Sequence, residues 1–171
     1  MLPDLLTEEA VDAWFEEDSS VSDAVAHVGR TRGRNYEQFA RGSMLVLGDD
    51  DEVVKLFPPG CAGFHAIEWA ALGALDGSLP VPTPAPRESF LLDGWHGIAM
   101  SRLRGQEHSD VWPGLTPESK QDLGRQLGEA LAALHQLEPP GGIPRVDWPA
   151  WVSERRGRIV GMQRKIGRAH V

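Results

Sequence analysis

Two charged residues stand where apolar ones are expected. Lys55 lies inside the strand-like run Val53-Val54-Lys55-Leu56-Phe57, and Glu68 interrupts the apolar helical run Ile67-Glu68-Trp69-Ala70-Ala71. Taken singly, Lys55 reads as a water-facing lysine of an edge strand and Glu68 as part of a solvated helix face. Taken together they ask for more. A strand lysine and a helix glutamate thirteen residues later, joined by a short connector, can meet across a sheet–helix interface. There the carboxylate fixes the ammonium, a compact point charge, where it can hold the α- and β-phosphates of a nucleotide. Two further features lie where such a site needs them. Phe39-Ala40-Arg41-Gly42-Ser43 precedes the strands, so that backbone N–H groups around Gly42 and the Ser43 hydroxyl can approach phosphate oxygens. Ile98-Ala99-Met100-Ser101-Arg102-Leu103 ends the strand-rich part and leads into helix, the place for a hinge that offers backbone groups to an adenine edge.

The elements that must position these residues can be read from periodicity. Thr7 caps a helix from Glu8 to Glu17 with Val11, Trp14 and Phe15 on one face. A strand-like region is expected from about Val25 to Tyr36, broken by Gly29 and Gly33. Met44–Leu47 and Val53–Phe57 form a hairpin around Gly48-Asp49-Asp50-Asp51, and Pro58-Pro59-Gly60 stops the second strand. A helix follows from about Phe64 to Leu75. Leu79–Pro86 carries four prolines and is expected to be extended. Strands Glu88–Leu92 and Gly97–Ser101 flank Asp93-Gly94. This order gives a sheet with its helix on one face.

Beyond Ser101 the chain turns helical. Thr116-Pro117-Glu118 starts a long helix whose Leu123, Leu127, Ala130, Leu131, Leu134 and Leu137 form a stripe. Glu138-Pro139-Pro140-Gly141-Gly142 ends it, and a last helix from near Pro149 carries Trp151, Val152 and Ile159.

These residues resemble the aminoglycoside phosphotransferase family, which has a protein-kinase-like fold, and within it the hygromycin B kinases. The resemblance runs from about Arg41 to Arg156. It rests on Val54-Lys55-Leu56-Phe57, Glu68, Pro80-Val81-Pro82-Thr83-Pro84, Met100-Ser101-Arg102 with Gly105, and Leu127-Gly128-Glu129-Ala130-Leu131-Ala132-Ala133-Leu134-His135. It implies an α+β fold: a kinase-like N-lobe of antiparallel sheet plus one helix, then the first helices of a truncated helical C-lobe. It implies ATP and Mg²⁺ as cofactors and a small-molecule hydroxyl as acceptor, an aminoglycoside first, with a choline-like alcohol and other hydroxyl acceptors left open. Lys55 becomes the phosphate ligand, Glu68 its partner, and Met100 to Leu103 the adenine-binding hinge. The chain departs from the family at both of its catalytic motifs. The family's catalytic loop carries His-x-Asp with an Asn five residues after the Asp, and a later Asp binds magnesium. His108-Ser109-Asp110 imitates the first motif, but Leu115 stands where the Asn should be and the position precedes the long helix. Asp147 imitates the second, yet Pro149 beside it makes it a helix cap. His135 is expected to serve its helix end. No catalytic or metal-binding residue is therefore assigned.

The last residues suggest why. Ile166-Gly167-Arg168-Ala169-His170-Val171 back-translates as the start of a sequencing adapter, and Lys165 is the residue its preceding bases complete. Residues 165–171 are expected to be a non-native tail, with the natural chain continuing past Arg164. The expected organisation is a nucleotide-binding lobe over 1–101, a hinge and the start of a helical lobe over 102–164, and the tail. A second reading is a non-catalytic module that uses a kinase-like lobe for binding.

Composition bounds both readings. The 171 residues are 41% hydrophobic and 25% charged, a globular balance. A net charge of −8 argues against non-specific nucleic-acid binding and tolerates a cationic ligand. One cysteine, Cys61, no membrane-length apolar run and no signal-peptide pattern after Met1 lead to an expectation of cytoplasmic location.

Overall fold

A computed structural model describes residues 1–40, 44–106 and 108–156. Its centre is a five-stranded antiparallel sheet of order β1-β2-β3-β5-β4. The strands are β1 (Glu37–Ala40), β2 (Leu45–Gly48), β3 (Glu52–Phe57), β4 (Pro86–Leu92) and β5 (Trp95–Ser101). Short connections explain most of this order. The β2–β3 turn is held by the Asp49 carboxylate, which accepts from the N–H groups of Asp51 (2.9 Å) and Glu52 (3.0 Å). A two-residue turn at Asp93-Gly94 joins β4 to β5. The long excursion after β3 brings β5 back beside it, with Val53 opposite Met100 and Lys55 opposite Ile98.

Strand alternation divides the core into two layers. Leu45, Leu47, Val54, Leu56, Trp95 and Ala99 face one side, where they pack with Leu5, Val11, Phe15, Val21, Ala24 and Val28. Phe57, Ile98 and Met100 face the other, with Leu72 and Trp69. The first side is covered by α1 (Glu8–Phe15) and α2 (Asp18–Arg32), the second by α3 (Ala62–Leu75). Helices thus cover both faces of the sheet, not one as expected. Thr7 caps α1 by accepting from the Ala10 N–H at 3.2 Å.

The correction has a single source. The region from Val25 to Tyr36, expected as strand, belongs mostly to α2, which runs to Arg32 and ends on left-handed Gly33 (φ 67°). Only Glu37–Ala40 pairs as strand. Val21, Ala24 and Val28 recur at helical spacing and are buried together, so burial of that stripe overrides the strand preference of valine. Gly33 marks a helix end there, not a break in a strand.

After β5 the described chain is helical: α4 (His108–Val111), α5 (Pro117–Leu134) and a helical stretch over 148–156. Thr116 caps α5 by accepting from the Ser119 N–H at 3.2 Å. Residues 79–85 take no helical conformation, as their prolines require. Leu123, Leu127, Leu131 and Leu134 on α5 stay between 37% and 60% exposed, so their stripe is not covered by the described residues. Gly42, Ser43, Ile159 and the tail 165–171 lie outside the described residues. The fold is α+β, a kinase-like N-lobe followed by part of a helical lobe.

Candidate functional site

Lys55 sits in mid-β3, between Val46 of β2 and Ile98 of β5, so it is not an edge residue. Its position in the alternation turns it toward α3, on the side of Val53 and Phe57. The connector Pro58–Cys61 is a single tight turn, closed by the Cys61 N–H donating to the Pro58 carbonyl at 2.8 Å and tied to the N-terminal segment through Gly60 N–H and the Leu5 carbonyl at 2.9 Å. It sends α3 directly back across the face. Glu68 on α3 then meets Lys55, whose Nζ donates to Glu68 Oε2 at 2.5 Å. The pair is partly exposed, at 23% for the lysine side chain and 30% for the glutamate. Nζ also lies 5.3 Å from the centroid of the Phe57 ring. An ammonium has three donors and Glu68 takes one, so a fixed, solvent-reachable cation keeps capacity for an anionic oxygen.

Beside it the sheet offers an apolar surface. Val46 opposes Lys55 and Val53 opposes Met100 in register; both valines are half-buried and face the same side as the lysine. Sequence reasoning passed over them, although Val53 stands two residues before Lys55 and so shares its face of the strand.

The hinge residues are placed less uniformly. Met100 is buried, 8% exposed, and belongs to the layer beneath α3. The Ser101 N–H already has a partner. Its N–H donates to the Ala85 carbonyl at 2.9 Å, and its hydroxyl accepts from the Ala85 N–H at 2.8 Å. Pairing across to the proline-rich connector, invisible in one-dimensional spacing, occupies the N–H and leaves the hydroxyl proton able to donate. The Arg102 N–H donates to the Asp51 carbonyl at 3.1 Å, and Leu103 beyond it is 46% exposed. Gly42 and Ser43 lie outside the described residues.

Two histidines flank the pair. His65, one turn before Glu68, meets His96 of β5 with ring centroids 4.9 Å apart, and its Nε2 is 3.0 Å from the Ser89 hydroxyl. Burial, then the neighbouring His96, pushes the His65 pKa below its ordinary value.

Among the described residues no three His, Cys, Asp or Glu side chains come together as a metal site. Asp147 accepts from the Ala150 N–H at 3.1 Å and caps the stretch 148–156. Asp110 is exposed in a one-turn helix, where His108 stacks on Trp112 at 4.8 Å. His135 caps the end of α5, its N–H donating to the Leu131 carbonyl at 3.0 Å.

Comparison with known proteins gives two findings. A family model described as a phosphotransferase enzyme family matches residues 40–166. The chain is also similar to a methionyl-tRNA formyltransferase of Roseiflexus castenholzii, at 27% identity over 161 residues, covering 81% of this chain and 48% of that protein. The chain thus spans about half the length of that curated relative.

Proposed function

We infer that this chain, which belongs to the phosphotransferase enzyme family, is the nucleotide-holding part of an ATP-dependent phosphotransferase whose acceptor is a small-molecule hydroxyl. The observation that carries the reading is the Lys55–Glu68 pair, 2.5 Å apart and partly exposed between the central strand β3 and α3. Lys55 holds the α- and β-phosphates, and Glu68 keeps the ammonium aimed at them. Val46 and Val53 take the flat face of the base, and the strand end at Met100 and Leu103 lies along its edge. Gly42 and Ser43 are assigned to the phosphates from their place in the sequence. The lobe over 1–101 carries this work, and 102–164 supplies the hinge and the start of the helical lobe.

An aminoglycoside is the acceptor that the sequence resemblance favours, and a net charge of −8 suits a cationic one. Mg²⁺, if bound, would supply charge neutralisation for the transferring phosphoryl group. Nothing described here is assigned to hold it. The same charge balance gives no support to a nucleic-acid partner. No described helix is long and apolar enough to cross a membrane, and a cytoplasmic location is part of the proposal. The formyl-transfer activity named for the similar bacterial protein is not carried over at 27% identity.

Calorimetry of this chain with ATP tests the reading. Binding is expected, and Lys55→Ala should weaken it at least about tenfold, since a charge-assisted bond of this kind contributes roughly 1.5–3 kcal/mol. Glu68→Gln should weaken it less. Equal affinity in wild type and Lys55→Ala would refute the assignment. A non-catalytic nucleotide module is favoured by one observation, that Asp110 and Asp147 are an exposed residue and a cap. Phosphate release from ATP plus an aminoglycoside separates the two. This chain alone is expected to stay at background, and turnover abolished by Asp110→Asn or Asp147→Asn would show that one of them reacts. Genomic sequence past the Arg164 codon that encodes His-x-Asp-x-x-x-x-Asn would favour the enzyme.

A further inference from the structure

The segment that leaves β5 is held by three consecutive residues of the β2–β3 turn. The Asp49 carbonyl accepts from Arg102 Nη1 at 2.7 Å, the Asp50 carbonyl from Arg104 Nη2 at 3.2 Å, and the Asp51 carbonyl from the Arg102 N–H at 3.1 Å. The Arg102 guanidinium also lies over the Phe39 ring, 4.6 Å from its centroid. That ring can lie there because Gly48 leaves room for it; a Cβ on Gly48 would come within 2.2 Å of the Phe39 ring.

The turn is itself anchored from outside the sheet. Arg34, just past α2, binds Asp49 through two bonds, Nε to Oδ2 at 2.5 Å and Nη2 to Oδ1 at 3.0 Å. Asp49 therefore joins two partners at once, Arg34 through its carboxylate and Arg102 through its carbonyl. The bond from Arg34, reinforced by the turn's own N–H groups, holds the Asp49 carboxyl well below the usual carboxylate range. A planar guanidinium on a carboxylate in this two-bonded form fixes direction as well as distance. The family match begins at residue 40, so Arg34 lies in the part of the chain that it does not cover.

We propose that Arg34, Asp49 and Arg102 are positioning residues for the base-binding edge of the nucleotide site, linking the N-terminal helices to the strand end at Ser101–Leu103. The proposal rests on the nucleotide reading above. It adds that α1 and α2 set where the base edge lies, while the Lys55–Glu68 pair, across the sheet, holds phosphate independently. Loosening the brace should then cost affinity for the nucleoside and spare affinity for bare phosphate.

The test uses the 171-residue chain with two probes, adenosine and inorganic tripolyphosphate, and amide hydrogen exchange at Arg102 and Leu103. Arg34→Gln removes the forked contact. It should speed exchange at Arg102 and weaken adenosine about tenfold, with tripolyphosphate affinity unchanged within about twofold. Arg102→Lys keeps the charge but not the planar guanidinium that donates to the Asp49 carbonyl and lies over Phe39, and serves if Arg34→Gln fails to fold; it should show the same split. Equal losses for both probes would mark a merely structural role and overturn the proposal, as would unchanged exchange at Arg102. If the wild-type chain binds neither probe, the nucleotide reading has failed and the proposed base-positioning role falls with it. The exchange data then show separately whether Arg34 braces the segment at all.

Discussion

Removing one oxygen atom, by Tyr36→Phe, tests whether the polar core beneath β1 stabilises the lobe. Glu52 is the one charged residue among the described residues that is buried, at 6% exposure. The Tyr36 hydroxyl donates to Glu52 Oε1 at 2.5 Å and accepts from Arg32 Nε at 3.0 Å. Arg32 Nη2 donates to the same carboxylate oxygen at 3.3 Å and to Glu88 at 3.1 Å. The phenylalanine fills the space but leaves Glu52 with weaker partners. A hydrogen bond to a charged group contributes about 1.5–3 kcal/mol, and the remaining bond to Arg32 is partly replaced by water. The expected loss is thus about 2–3 kcal/mol, a fall of about 1 M in the urea midpoint at an ordinary slope of about 2 kcal/mol/M. Paired with Glu52→Gln in a double-mutant cycle, the coupling should exceed about 1 kcal/mol. The pH profile adds an independent check. Burial, then the bond to Glu52, pushes the Tyr36 hydroxyl up to about 12. An unfolded tyrosine ionises near pH 10. Stability should therefore be full below about pH 10 and decline as pH rises toward about 12, with that limb missing in Tyr36→Phe. A variant within about 0.5 kcal/mol of wild type would refute the reasoning.

Asp49 should shape the acid limb. Its folded pKa is depressed, so its contribution is complete above about pH 4 and lost as pH falls through the folded value; Asp49→Asn should flatten urea midpoints measured over that range. Leu127, 60% exposed, should cost under about 0.5 kcal/mol as Leu127→Ala, against about 2–5 kcal/mol for buried Leu56→Ala, in the same unfolding assay. Hydrogen exchange should be faster in α5 than in β3, because the leucine stripe is not covered by the described residues; equal protection in a monomeric sample would show that it is satisfied. Gly97→Ala would place a Cβ 2.2 Å from the Phe90 ring and should destabilise by about 1–3 kcal/mol on thermal unfolding.

Much of this molecule is written in local sequence. Residues that need only their near neighbours to decide their state were legible: the Thr7 and Thr116 caps, the β2–β3 turn at its aspartates, the Pro58 stop, the tight turn at Asp93-Gly94. The Lys55–Glu68 contact was legible too, because one tight turn between strand and helix leaves few ways for the two side chains to lie. Val25–Tyr36 was not. Its valines and glycines suit a strand or a helix, and only the sheet face waiting for Val21, Ala24 and Val28 decides between them. The same missing information hid the second helical layer and the Ala85 pairing that occupies the Ser101 N–H. It also hid the Arg34–Asp49–Arg102 chain, whose members lie 15 and 53 residues apart. Local chemistry fixes how a segment can fold and which charges it carries. Which segment covers which face depends on burial summed over residues distant in the chain, and that sum exists only once the sheet is assembled.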